Sequence, residues 1–461
     1  MLKKIAFFLL LVMIFIVGAY FSLAAKYKYN VAQDYEYAIE NSQHTEIKVE
    51  LNQGQFQFKN TGNWDTGFLR IKLKSTLIGY FAEPFIEIIS DNKVSVLTVE
   101  RGADGVRYIN LPVFNARDLV RVKLVAHYLT IEDQQASAIL FNNASVHQQP
   151  KILIISPHPD DAEIAAFGLY SQHNSMIVTV TAGEAGPHTY DEVYSDVEKH
   201  YRMKGKLRVW NSITVPMLGG IKPEHTINLG YFDGTLEKMY KNKHTPINSL
   251  YSGVSDINYF RQQNISTQIP KLKNSQATWK GLVSDIKQVL LKFKPDIIVT
   301  PYPKIDWHFD HKLATIAVIE AIKELKLKKG KLFLYTNHFN FNNYFPYGNQ
   351  GELVPIPPDL NKTLYFDSIY SFTPEQPKDK IFALDAMNDL RLDTSWLSTK
   401  GGFKVFKDSF VNNVFLREQS YFRRAVRENE LFLVVDFLSL YAEDKKSNAW
   451  SILSDYKGFY N

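Results

Sequence analysis

Hydrophobic and polar positions follow three rhythms along this chain. The first is an uncharged apolar run, residues 5–25, entered through Lys3 and Lys4. A bilayer-spanning helix needs roughly 20 apolar residues, whereas a secretory signal core has roughly 7–15. The run predicts an uncleaved anchor, or a signal removed near Ser22-Leu23-Ala24. Either way the remaining chain is exported. Lys26 and Lys28 put charge on the far flank too, so the positive-inside rule gives no clear orientation.

The second rhythm has period two and runs from about residue 45 to 147. Leu69, Ile71 and Leu73 alternate with Arg70, Lys72 and Lys74, and Val120, Val122 and Leu124 alternate with Arg121 and Lys123. Turn residues at 52–54 and 61–63 separate such runs. This pattern predicts antiparallel strands in a β-sandwich-like domain. Such a domain is either a spacer or a carbohydrate-binding module.

The third rhythm begins after Pro150, where short apolar runs alternate with helical spacing. "KILIIS" and "SMIVTVTAG" read as strands. Trp279, Leu282, Val283, Ile286, Val289 and Leu290 form one face of a helix, "DIIVTP" is a strand, and "DHKLATIAVIEAIKEL" is a helix. Strands alternating with helices predict an α/β fold, a Rossmann-like parallel sheet with flanking helices. Beyond Tyr335 the pattern is aromatic-rich and loop-like. The expected division is 1–25 anchor or signal, 26–147 β-rich accessory domain and 148–461 catalytic domain.

Composition narrows the chemistry. The chain has 461 residues, no cysteine and a net charge of +5 without a long basic block. Disulfides, thiolate metal sites and cysteine nucleophiles are excluded, and nothing points to nucleic acid. Any metal must be held by His, Asp or Glu.

Two strand ends carry such residues. After "KILIIS" come His158, Pro159, Asp160 and Asp161. His158 and Asp161, three apart across a turn stiffened by Pro159, can converge on one ion. Asp160 lies between them, where a general base for a metal-activated water is needed. Aspartate is also common at helix starts, so a pure capping role competes for this pair. After the strand ending near Thr300 come Asp306, His308, Asp310 and His311. His311 can be the third ligand, and His308 can stabilise an oxyanion, with Asp310 orienting it and holding it cationic.

The order "PHPDDAE", "TAGEAG" (181–186), "LGYFDG" (229–234) and "PDIIVTPYPKIDWHFDH" resembles the PIG-L/LmbE family of zinc-dependent N-acetylglucosaminyl deacetylases over about residues 150–345. The resemblance implies His158, Asp161 and His311 as ligands of zinc, or of another divalent metal such as iron(II). It implies Asp160 as base and His308, partnered by Asp310, at the oxyanion. It also raises Glu184, Arg208 and Asp233 as substrate contacts, with a purely structural role in a turn or at the surface as the equal alternative. Three departures stand out: Phe309 replaces the usual Pro, Arg208 with Asn211 replaces an Arg-x-x-Glu pair, and residues 235–278 form a long polar segment expected to loop over the site.

The expected function is removal of the N-acetyl group from an amino sugar in a cell-surface or lipid-linked glycan. The expected partners are an N-acetylated glycan or glycolipid substrate and a membrane, reached through the N-terminal segment. The enzyme would be periplasmic or extracellular, tethered to the inner membrane or secreted. The rivals are a non-catalytic glycan-binding protein and a zinc amidase or esterase with a non-sugar substrate.

Overall fold

The structure is a computed structural model that describes residues 5, 7–8, 10–14, 18, 27–59, 62–90, 93–111, 119–143, 148–188, 190, 193–265, 274–340, 342, 344–390, 421–443 and 448–455. Most of the expected anchor or signal, 1–25, therefore lies outside the described residues. Among the described residues no helix is long and apolar enough to cross a membrane.

The chain divides into two compact units. In the first, Met1–Ile39, His44–Asn142 and Asn340–Thr363, period-two alternation becomes nine strands among the described residues. These are β1 (Thr45–Glu50), β2 (Gln55–Lys59), β3 (Thr66–Ser75), β4 (Phe85–Ser90), β5 (Lys93–Thr98), β6 (Asp104–Leu111), β7 (Leu119–His127), β8 (Leu129–Ile131) and β9 (Gln135–Phe141). One antiparallel sheet runs β1-β9-β3-β6 with β8 on β3, and the other runs β2-β7-β4-β5. Leu69, Ile71 and Leu73 of β3 join Ile86, Ile88, Val120 and Val122 of the other sheet in one buried cluster, while Arg70, Lys72 and Lys74 face solvent. Each aliphatic side chain so buried contributes roughly 1.5–3 kcal/mol. Residues 340–363 belong to this unit, so the chain returns to it late, a return that the sequence pattern does not signal.

The second unit, Glu40–Gln43, Asn143–Phe339 and Leu364–Asn461, is mixed α/β. Its strands are β10 (Lys151–Ser156), β11 (Asn174–Thr181), β12 (Thr226–Tyr231), β13 (Ile297–Pro301), β14 (Lys331–Tyr335), β15 (Ser368–Phe372) and β16 (Glu430–Asp436). They form one sheet in the order β12-β11-β10-β13-β14-β16-β15. The first five are parallel; β16 and β15 add on antiparallel. The sheet is thus not purely parallel as expected, because the stretch beyond Tyr335 contributes two strands. The main helices are α1 (Asp161–Ser171), α2 (Val197–Thr214), α3 (Trp279–Phe293) and α4 (Phe309–Glu324). In α3 all six apolar positions expected on one face are buried, and the Thr278 hydroxyl caps its start by accepting from the Gly281 N–H.

Strand order places the site. Chain order steps outward in one direction from β10 to β11 and β12, then in the other to β13 and β14. The crevice where the order reverses, at the carboxyl ends of β10 and β13, is where ligands bind in open α/β sheets. Both His/Asp clusters lie on the turns leaving those two strands.

α1 is interrupted at Ala166 (φ −143°, ψ 21°). The restarted half exposes two N–H groups, Gly168 and Leu169, and the Glu430 carboxylate accepts from both at 2.9 and 2.8 Å. Lys380 neutralises Glu430 at 2.6 Å. This buried cap ties β16 to the helix that carries Asp161.

Candidate metal centre

β10 delivers His158 and Asp160 through the four-residue turn 157–160, and Asp161 opens α1. β13 delivers His308 as the N-cap of α4, whose third residue is His311. The two turns meet. His158 Nδ1 lies 3.1 Å from His311 Nε2 and 3.3 Å from Asp161 Oδ2, and His311 Nε2 lies 3.1 Å from Asp161 Oδ2. A tetrahedral zinc with bonds of about 2.0–2.1 Å holds its ligand atoms about 3.3–3.4 Å apart. The three expected ligands therefore fit one small divalent ion, and all three are buried.

Each ligand is oriented from behind. His311 Nδ1 is 2.9 Å from Asp306 Oδ2, with both residues fully buried. His158 Nε2 is 3.1 Å from Asp233 Oδ1. The Asn337 amide donates to Asp161 Oδ1 at 2.8 Å, while Oδ2, which accepts from the His158 N–H at 2.9 Å, faces the two imidazoles. Carboxylate-backed imidazoles fix the tautomer and ring orientation, as metal-binding histidines require. Three further trios also bring ligand atoms within 4.8 Å: His158/His308/His311, Asp161/His311/His338 and His158/Asp233/Asp310. The last is less open to an ion, because the Asp310 carboxylate already accepts from the Gly234 N–H at 2.7 Å and the Leu236 N–H at 3.1 Å.

Without a cation these groups balance one another. Burial alone would lower the His158 and His311 pKa values, but Asp233 and Asp161 outweigh it for His158, and Asp161 and Asp306 for His311. Both rise, His311 to about 10. Burial would likewise raise Asp161 and Asp306, but His311 pulls both below the usual carboxylate range. The pocket is built for charge and supplies negative charge next to imidazole nitrogens.

Asp160 is the least buried of the four turn residues 158–161. Burial raises its pKa, and Arg208, whose Nη2 is 3.0 Å from Asp160 Oδ2, opposes that rise. Arg208, for which a substrate contact and a structural role were both open, bridges Asp160, Asp389 Oδ2 at 3.3 Å and the Gly183 carbonyl at 3.1 Å. One face of α2 grips the 183–186 turn: the Tyr201 hydroxyl donates to the Gly186 carbonyl and the Lys204 ammonium to the Ala185 carbonyl. Gly183 (φ +65°) permits this approach, since a Cβ there would lie 2.6 Å from Arg208 Nη1 and 2.7 Å from Pro159 Cδ.

Glu184 and Asp233 also have protein partners where substrate contact was expected. Glu184 is fully buried and accepts from the Asp233 N–H and the Ser249 hydroxyl; burial, reinforced by Asp233, pushes it up to about 8. Asp233 backs His158, and His158 and Arg208 hold its carboxyl low against the effect of burial.

His308 departs from expectation too. Its Nδ1 accepts from the Asp310 N–H at 3.3 Å, as an N-cap, and the Asp310 carboxylate points elsewhere. Burial, then His158 and His311, lower its pKa to about 4. The ring is neutral, with Nδ1 as acceptor, so its proton sits on Nε2 and remains available as a donor. Asp310 therefore does not hold His308 cationic.

Sequence reasoning gave no role to Asn337, His338, Asp389 or Lys204. Asp306 was noted only as a loop residue. His338 packs between His311 and Trp307, with ring centroids 4.9 and 5.3 Å away. Tyr201, Lys204 and Arg208 share one helical face by spacing, the single signal that could have been read.

Residues 153–322 match the profile of the family described as GlcNAc-PI de-N-acetylase, PIG-L. No curated protein matches the chain. Among solved structures, the N,N'-diacetylchitobiose deacetylase of Pyrococcus horikoshii is 15% identical, aligning 66% of this chain with 90% of that one at a TM-score of 0.34. GalB, the 4-carboxy-2-hydroxymuconate hydratase of Pseudomonas putida, is 14% identical over 62% of this chain and 96% of that one, with a TM-score of 0.30. A family two carbohydrate esterase from Cellvibrio japonicus is 13% identical over 77% and 100%, at 0.17. Similarities of this size do not speak to activity.

Proposed function

We propose that this PIG-L-family chain, a metal-dependent N-deacetylase by its match over residues 153–322, removes the acetyl group from an N-acetylated amino sugar in a cell-surface or lipid-linked glycan. The observation that carries this reading is the trio His158, Asp161 and His311, mutually 3.1–3.3 Å apart, with Asp160 and His308 beside it. An ion held there, zinc or iron(II), supplies Lewis acidity and makes a water acidic enough to lose a proton near neutral pH.

The chain's own groups do the rest. Asp160 accepts the proton of the attacking water. Its pairing with Arg208 opposes the rise in pKa that burial causes, and the proton then passes to the leaving nitrogen. His308 Nε2–H donates to the acetyl oxygen as negative charge develops, an interaction of the kind worth about 3–4 kcal/mol in other enzymes. Water and the amide become acetate and the free amine. Trp307, 49% exposed beside His308, and Tyr251, exposed and stacked on Tyr201, offer faces on which sugar rings can pack.

Export is supported by the uncharged run 5–25, of which Phe7, Phe8, Leu10, Leu11, Met13 and Ile14 are exposed. The test is acetate release from N-acetylhexosamine glycans by the metal-loaded chain and by Asp160→Asn. A loss of two orders of magnitude or more is expected, and equal rates would remove the base. Turnover of simple esters alone would favour the esterase reading, and sugar binding without any turnover the non-catalytic one.

A further inference from the structure

The first unit carries an apolar tip that the deacetylase reading does not use. Between β3 and β4 the chain makes a single 3-10 turn, Ile78–Tyr80. Leu77 is 80% exposed and Ile78 57%, with Phe81 exposed next to them. Tyr128 lies alongside: its carbonyl accepts from the Thr76 N–H, and its own side chain is exposed. Tyr128 adopts φ +60°, a backbone state that favours glycine or asparagine. The turn is firmly built, because Gly79 is buried and its carbonyl accepts from the Gly102 N–H. Rigid presentation of large apolar side chains to solvent marks an interaction surface.

Its position suggests the occupant. The Arg101 guanidinium donates to the Phe81 carbonyl at 3.1 Å, and the Arg101 N–H donates to the Tyr27 hydroxyl at 3.2 Å. Tyr27 follows directly on Lys26, where the apolar run 5–25 ends. Through Arg101 the tip is therefore linked to Tyr27, two positions beyond the last residue of the apolar run in the sequence. Tyr27, Phe81, Tyr128 and the exposed Lys28 are residue types that settle at the headgroup level of a bilayer.

We infer that the Leu77–Ile78–Phe81 tip dips into the lipid interface beside the N-terminal segment, so that this unit is held to the bilayer at two points. The inference rests on the reading of residues 5–25 as membrane-inserted and is independent of the chemistry of the metal centre.

The absence of cysteine makes the test clean. Full-length single-cysteine variants Leu77→Cys, Ile78→Cys and, as control, Val94→Cys are labelled with an environment-sensitive dye and reconstituted in phosphatidylcholine/phosphatidylglycerol vesicles. Val94 is 55% exposed on β5, near the opposite end of the β4–β5 pair. Dyes at 77 and 78 should shift to the blue and be quenched at least twofold more than at 94 by spin-labelled lipid, with at least twofold protection from aqueous iodide. Iodide quenching equal to that at position 94 overturns the inference. Protection from iodide without lipid quenching also overturns it and identifies a protein occupant, with concentration-dependent crosslinking marking a second copy. Failure of the chain to float with vesicles removes the anchor and the tip together, whereas flotation with an unquenched tip removes the tip alone. Acetate release by the labelled chains reports separately on the deacetylase reading.

Discussion

Asp306→Asn isolates what the residues behind the ligands contribute. The native carboxylate accepts three times: from His311 Nδ1 at 2.9 Å, from the His308 N–H at 3.0 Å and from the His338 N–H at 3.3 Å. An asparagine has one oxygen and one NH2 group, so in either orientation an N–H group confronts a donor. The bulk is unchanged, but His311 loses the anion that fixes its tautomer and raises its basicity. Outer-shell changes of this kind typically weaken metal binding about 10–100-fold, or about 1.4–2.7 kcal/mol. Competition with a chromophoric zinc chelator measures the affinity directly, and circular dichroism confirms that the variant folds. Acetate release at saturating metal should recover most of the wild-type rate, because Asp306 does not face the substrate. Zinc affinity within twofold of wild type would refute the argument that the buried carboxylate orients His311.

Arg208→Gln should lower kcat/KM about tenfold and shift the acidic limb of its pH profile upward, because the cation opposing the burial-driven rise of Asp160 is lost; an unmoved limb would separate Arg208 from the base. Glu430→Gln should cost about 3–5 kcal/mol in urea unfolding by stranding buried Lys380 and turning an NH2 group toward the Gly168 or Leu169 N–H; a cost below 1 kcal/mol would mean that the kink in α1 needs no cap. Glu184 keeps its proton up to about pH 8 in the fold but loses it near 4.5 when unfolded. The folded state then binds more protons between those values, so wild-type stability falls as pH rises from 4.5 to 8 and flattens above. Glu184→Gln, which mimics the protonated acid, should show a shallower fall in thermal unfolding across pH 5–8, the remainder coming from buried Glu163, which is also pushed up to about 8; parallel curves would refute the assignment.

Local rules made much of this protein legible. Alternation along β3 and β7 sorted their buried and exposed positions correctly, because a strand's side-chain period is two regardless of its partners. The apolar face of α3 followed from its 3.6-residue period in the same way. The candidate ligands could be picked out because they lie on the segments leaving two strands, His158 and Asp161 within five residues of β10 and His311 ten beyond β13. Non-local partners were not legible. Asn337 and Asp389 lie 176 and 181 positions beyond the residues they hold, Asp161 and Arg208, on segments without a motif. Arg208 and Glu184 stood open between substrate contact and a structural role because charged residues near a site have no visible partner in a one-dimensional string. The strands beyond Tyr335 were missed for a related reason: β15 and β16 are separated by 57 residues, and neither shows the alternation of a half-exposed strand.

By itself the sequence determined most of the element types, the absence of thiol chemistry and the candidate ligands. Those depend on residue type and on spacing within one turn. Tertiary structure alone decided that β10 and β13 are neighbours, which closes the trio. It also decided that Asp306, Asp233, Asn337 and Arg208 spend their polar groups on the ligands and the base. The physical reason is burial. A charge removed from water must find a partner wherever the fold supplies one, and that choice is made in space, across chain separations over which sequence patterns carry no information.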